Sequence, residues 1–122
     1  MVDIDITSNE VVIRPRGLHQ LWAFKREVRI PRSQLKRAEA GVPPAAWARL
    51  SRSLRLSGTR VPSLIIAGSY RCNGRWAFWD VVGKGYDAVT LTTDGHRYAE
   101  LVVDVADPKV AVESVQRSIV PA

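Results

Sequence analysis

RCNGRWAFWD, residues 71–80, decides how the chain is read. Asn73-Gly74 is the strongest short hairpin signal, because both residue types tolerate the positive φ of a type I′ turn. It predicts a strand over Leu64–Cys72 returning antiparallel as Arg75–Val82. Alternation then puts Trp76, Phe78 and Asp80 on one face and Ala77, Trp79 and Val81 on the other. Both faces are apolar, whereas an antiparallel strand with one wet side alternates apolar and polar residues. Either the segment 41–59 lies over the second face, or a partner or second copy does, or the aromatics form a box for a ligand. Trp47, Trp76, Phe78 and Trp79 are the aromatics such a partner would meet.

Outward from this hairpin, period-two patterning dominates. Ile4 and Ile6 flank Asp5, and Glu10–Arg14, Leu18–Phe24, Glu27–Ile30 and Gln34–Ala38 read as short strands broken by Pro15-Arg16-Gly17 and Pro31. Residues 41–62 change texture. Pro43, Pro44, Gly58 and several arginines leave only Trp47, Leu50, Leu54 and Leu56 as anchors, so this is expected to be an irregular excursion with one helical turn near Ala45–Leu50. Gly83-Lys84-Gly85 is a turn, Ala88–Thr92 a strand, Asp94-Gly95 a second hairpin signal, and Arg97–Val105 the last strand. Then the period changes. Asp107-Pro108 pairs an N-cap carboxylate with proline at the first helical position, and Val112, Val115 and Ile119 follow at helical spacing, predicting a helix over 107–120.

At 122 residues, 46% hydrophobic and 25% charged, the chain fits one globular domain. The acidic opening MVDIDITS lacks the basic-then-apolar order of a signal peptide. Cys72 is the only cysteine, which fits a reducing compartment. The expected location is the cytoplasm, with the inner membrane face as a peripheral site. The net charge of +6 is unevenly spread. Residues 1–75 carry fourteen Lys and Arg against five Asp and Glu, while residues 76–122 carry four against seven. Arg49, Arg52, Arg55, Arg60, Arg71 and Arg75 fall in a stretch without a single acidic residue between Glu39 and Asp80. They form the candidate basic face for an acidic protein surface or anionic lipid.

Taken in order, VVIRPRGLHQLWAFKREVRIPRSQL (11–35), LRLSGTRVPSLIIAGSYR (54–71), WAFWDVV (76–82), AVTLTT (88–93) and RYAELVVDVADP (97–108) resemble the bacterial pleckstrin-homology-like proteins. The likeness covers essentially the whole chain and rests on the order of the motifs. It implies a mainly β fold: an antiparallel barrel or sandwich of about seven strands, capped by one C-terminal helix. It also implies an interaction module more than an enzyme. In eukaryotic members phosphoinositides sit on a basic first hairpin. The matching positions here, Arg14, Arg16, His19, Lys25 and Arg26, lack the Lys-x-Arg spacing of that site, so it is not carried over.

Chemistry finds little foothold. His19, His96 and Cys72 are the only candidates for nucleophilic or metal work, and no spacing brings them together. Asp3 with Asp5, and Asp104 with Asp107, read as solvated strand ends rather than an acid–base pair. Gly83-Lys84-Gly85 is too short for a phosphate loop. A pI of about 10.1 and four tryptophans are what a nucleic-acid stacking platform shows, but no nucleic-acid-binding motif accompanies them. The expectation is a non-enzymatic module without cofactor or metal, binding a protein partner or itself. Anionic lipid is the alternative, and nucleic acid a further one.

Overall fold

A computed structural model describes residues 2–15, 27–52, 54–61, 65–72, 74–82 and 87–119. The predicted strand Leu18–Phe24, and with it Arg16, His19, Lys25 and Arg26, lies outside them. Nine strands are described: β1 (Val2–Ile6), β2 (Glu10–Pro15), β3 (Val28–Pro31), β4 (Leu35–Ala40), β5 (Leu54–Val61), β6 (Ile65–Cys72), β7 (Arg75–Val82), β8 (Ala88–Thr93) and β9 (Tyr98–Asp104). Helix α1 spans Pro44–Arg52 and helix α2 spans Pro108–Ser118.

The strands form two sheets, one ordered β1-β2-β3 and one ordered β4-β8-β9-β7-β6-β5. The fold is therefore mainly β with a C-terminal helix, but the barrel expectation is corrected. Among the described residues the ends of the larger sheet, β4 and β5, do not pair, and the sheet stays open. The wholly antiparallel expectation is corrected as well. β9 inserts between β7 and β8, antiparallel to β8 and parallel to β7. Local turn signals specify only hairpins, while the β7–β9 pairing is set by burial. Leu101, Val102 and Val103 are all completely buried, and a strand covered on both sides belongs at a sheet's centre.

The hairpin of residues 71–80 forms as its sequence demands. Cys72 pairs with Arg75 across a two-residue loop, and Gly74 takes φ +76°. Asn73 itself is outside the described residues.

Two cores lie on opposite faces of the larger sheet. On one face Phe78, Val89, Leu91, Leu101 and Val103 meet Val11, Ile13 and Ile30 of the smaller sheet and Val115 of α2. Helix α2 begins as predicted. Asp107 accepts a hydrogen bond from the Val110 N–H, which satisfies one of the helix's unpaired donors. Farther along α2, Gln116 donates to the Ala38 carbonyl at 2.9 Å, and Arg32 donates to the Ser118 carbonyl at 2.8 Å.

The opposite face holds Ile66, Tyr70, Trp79, Val81 and Val102, packed against Ala46 and Leu50 of α1. The irregular excursion expected over 41–62 is thus corrected to a nine-residue helix and an eight-residue strand. Pro44 stands at the first helical position, where its missing N–H is harmless. Ala46, Trp47 and Leu50 share the buried side, at the spacing of one helical face. Gly58 and Gly68 pair beside Trp79 in register, leaving a strip of sheet without side chains next to the indole. The α1 ring Trp47 reaches Trp79 at a centroid distance of 5.3 Å and a tilt of 47°.

Candidate binding cleft

Helix α1 covers only part of the second face. Beside it, register aligns Arg37 with Thr92, Thr92 with Glu100, Glu100 with Ala77, and Ala77 with Tyr70 in one row across five strands. Two irregularities make that row. One, between Leu35 and Arg37 on β4, leaves Lys36 without a partner on β8. The other, on β9 against β7, leaves Ala99 without one. A bulge of this kind turns side chains that strict alternation would send to the opposite face. Tyr98 accordingly packs in the first core, edge to face with Phe78 at 5.6 Å, while Ala99 and Glu100 line the second face.

Ala77, the small member of the row, leaves a cleft of about 240 Å³. Its apolar wall is formed by Leu50, Tyr70, Trp79, Ala77 and Ala99. Its polar wall is Arg37, Arg75, Thr92 and Glu100, with Trp76 alongside. Glu100 is buried and held by an interaction of its own within the protein. Arg37 lies 3.7 Å from Glu39. Arg75 is exposed and makes no ion pair among the described residues.

Just outside, the half-buried Trp76 gathers two more cations. The Arg71 guanidinium lies 6.0 Å from its ring centroid and the Arg97 guanidinium 5.6 Å, with Arg97 also 5.7 Å from Tyr98. Each such contact is worth about 0.5–1 kcal/mol at an exposed site. Like Arg75, neither Arg71 nor Arg97 has a carboxylate partner among the described residues. Two guanidinium groups therefore stand over one indole at the end of the sheet, with Arg75 beside them on the wall of the cleft.

Of the expected basic face, Arg71 belongs to this cluster and Arg75 to the cleft wall next to it. Arg49 and Arg52 sit on α1 and Arg55 and Arg60 on β5, but their side chains are outside the described residues. Phe78 is fully buried in the first core, and Trp79 is spent as the floor of the second. Neither offers an outward patch. The large hydrophobic residues exposed among the described ones are Ile6 and Val110, which are not neighbours in any sheet or helix.

The remaining candidates have structural employment. The His96 ring bonds the Arg29 carbonyl through Nε2 at 2.7 Å and accepts from the Tyr98 N–H through Nδ1 at 3.0 Å. Nε2 thus ties the β8–β9 turn to the smaller sheet, while Nδ1 braces the turn itself. Asp104, expected at a solvated strand end, is buried opposite Ala88, because β9 is central rather than peripheral. Asp80 is buried as well. Asp5 pairs with Arg14 at the surface. Among the described residues no cluster of His, Cys, Asp and Glu has the makings of a metal site, and no helix is long and apolar enough to cross a membrane.

Sequence reasoning passed over Arg97, Arg37, Tyr70, Thr92, Ala99 and Glu100. For Arg97 a signal existed: it lies two residues past Gly95 of the Asp94-Gly95 turn and next to Tyr98, the residue that pairs with Trp76. The others come together only through register. Comparison with protein-family models, with curated proteins and with solved structures finds no match for this chain.

Proposed function

We propose that the chain is a non-enzymatic interaction module of the pleckstrin-homology-like kind, meeting a protein partner at the arginine–tryptophan end of its larger sheet. The observation that carries this reading is the pair Arg71 and Arg97 over Trp76, with Arg75 on the adjoining cleft wall, all three exposed and without carboxylate partners among the described residues. Arginine and tryptophan are the residue types that dominate binding energy at protein interfaces. Guanidinium groups already stacked on a ring lose less side-chain freedom when they meet an acidic surface. The terminal helix following VADP, and a core closed between two sheets, support the pleckstrin-homology-like part. The engaged ring of His96 supports binding over acid–base chemistry.

The test runs two assays on the intact protein. In one, wild type and the double variant R71A/R97A capture proteins from a host-cell lysate. In the other, both are sedimented with anionic and neutral vesicles at low and moderate salt. The expected result is a defined protein retained by wild type and lost by the variant, with no pelleting. Salt-sensitive pelleting with anionic vesicles alone would replace this reading with the lipid one.

A further inference from the structure

We infer that the cleft behind Trp76 binds one apolar group carrying a single carboxylate, either the C-terminal residue of a polypeptide or a small free acid. This rests on the reading of the same end of the sheet as the contact surface.

Size comes first. At about 240 Å³ the cleft falls below the roughly 300–1,000 Å³ of pockets that enclose drug-sized ligands, and it suits one large side chain with its attached polar group. The floor of Trp79, Tyr70, Ala77 and Leu50 accepts an apolar body and has no cationic group to solvate a charge.

Charge decides the rest. Arg75 stands on the polar wall, exposed and without a salt-bridge partner among the described residues, and its planar fork matches a carboxylate bidentately. Arg37 lies on the same wall, drawn only loosely to Glu39 at 3.7 Å. Two arginines disfavour a cationic ligand. Buried Glu100 on that wall disfavours a dianion such as a phosphate monoester, because each added negative charge is repelled at short range in a poorly solvated site. A monoanion gives Arg75 the counter-charge that a neutral group does not, at the least repulsion from Glu100. Thr92 supplies a hydroxyl that donates to its second oxygen or accepts from a peptide N–H.

Three probes test this against the intact protein: 3-phenylpropanoate, the peptide acetyl-Gly-Ser-Gly-Phe with a free C-terminus, and the same peptide as its C-terminal amide. Binding is read from the indole fluorescence, to which Trp76 and Trp79 at the cleft contribute, and checked by calorimetry. The free-acid peptide is expected to bind at least about tenfold tighter than the amide, the factor expected for a charged hydrogen bond. Arg75→Gln should weaken it by a similar factor without moving the thermal midpoint. Ala77→Leu, which fills the floor, should abolish saturable binding. Binding by the peptide acid alone assigns the cleft to a polypeptide end. Binding by phenylpropanoate alone assigns it to a small acid, and binding by both shows that the group itself suffices. Equal binding of acid and amide, indifference to Arg75→Gln, or no binding by any probe overturns the inference. Because partner capture is tested at Arg71 and Arg97, either conclusion can fail without the other.

Discussion

The two faces of the larger sheet are built from the same strands and finished differently. One is sealed by three further strands and an eleven-residue helix, and Val11, Ile13, Ile30, Phe78, Leu101 and Val115 are fully buried there. The other is covered by one nine-residue helix, and where that cover stops the sheet shows a cleft edged with arginines. The difference separates two tasks that a single strand must serve. β7 gives Phe78 to the sealed face for stability and Ala77 to the open face for space. A binding surface can then vary without disturbing the core that holds the fold.

The comparison is broken most forcefully at Phe78. Phe78→Ala should cost about 3–5 kcal/mol, since a completely buried ring is lost from a face with no freedom to collapse. Denaturant unfolding measures this as a lowered midpoint with unchanged slope. Leu50→Ala on α1 should cost less, about 2–3 kcal/mol, because its surroundings are partly open and can relax. Hydrogen exchange sharpens the contrast. In the Leu50→Ala variant the α1 amides should exchange by local opening while those of β8 and β9 still require global unfolding. Equal acceleration of both regions would mean that the two faces form one cooperative unit.

The sealed face was more legible in the sequence than the open one, for reasons that lie in particular residues. Asn73-Gly74 and Asp107-Pro108 carry their conformations locally, so the hairpin and the start of α2 could be read directly. Helix α1 was hidden because Ala46, Trp47 and Leu50 are diluted by Pro43, Pro44, Arg49 and Arg52. The parallel pairing of β7 with β9 joins residues more than twenty apart, and no turn signal encodes it. The cleft was the least legible feature. Its polar wall draws single residues from separate strands, brought into line by two bulges that one-dimensional alternation does not announce.

Smaller effects refine the contrast. Asp107→Ala removes the cap of α2 and should cost about 1 kcal/mol, measured as a lowered thermal midpoint. Ala77→Leu adds volume where the cleft has room and should cost under about 1 kcal/mol. Enlarging Val103 to Leu in the sealed core should cost about 1–3 kcal/mol by overpacking. A heavier penalty at Ala77 than at Val103 would show that the cleft is no free space.

The weakest effect concerns the arginines, and it is the most telling for function. On the smaller sheet, Arg14 pairs with Asp5 and Glu27, and Arg29 with Glu10 and Glu27. The hydrogen bonds Arg29 donates to Glu10 and Glu27, together with their charges, hold its guanidinium above the ordinary pKa. These cations are neutralised within the fold, so Arg29→Gln should lower stability at low salt, with the loss fading as salt screens the exposed pairs. The Arg71 guanidinium stacks on Trp76 and has no carboxylate partner among the described residues, so Arg71→Gln should change stability by about 0.5 kcal/mol, the low end of what that contact is worth, whatever the salt. Thermal unfolding of both variants across a salt series separates the two classes. A salt-dependent loss at Arg71 would place its charge in the folding balance with the arginines of the smaller sheet. Its absence would leave that charge free for a partner, which is what a contact surface requires.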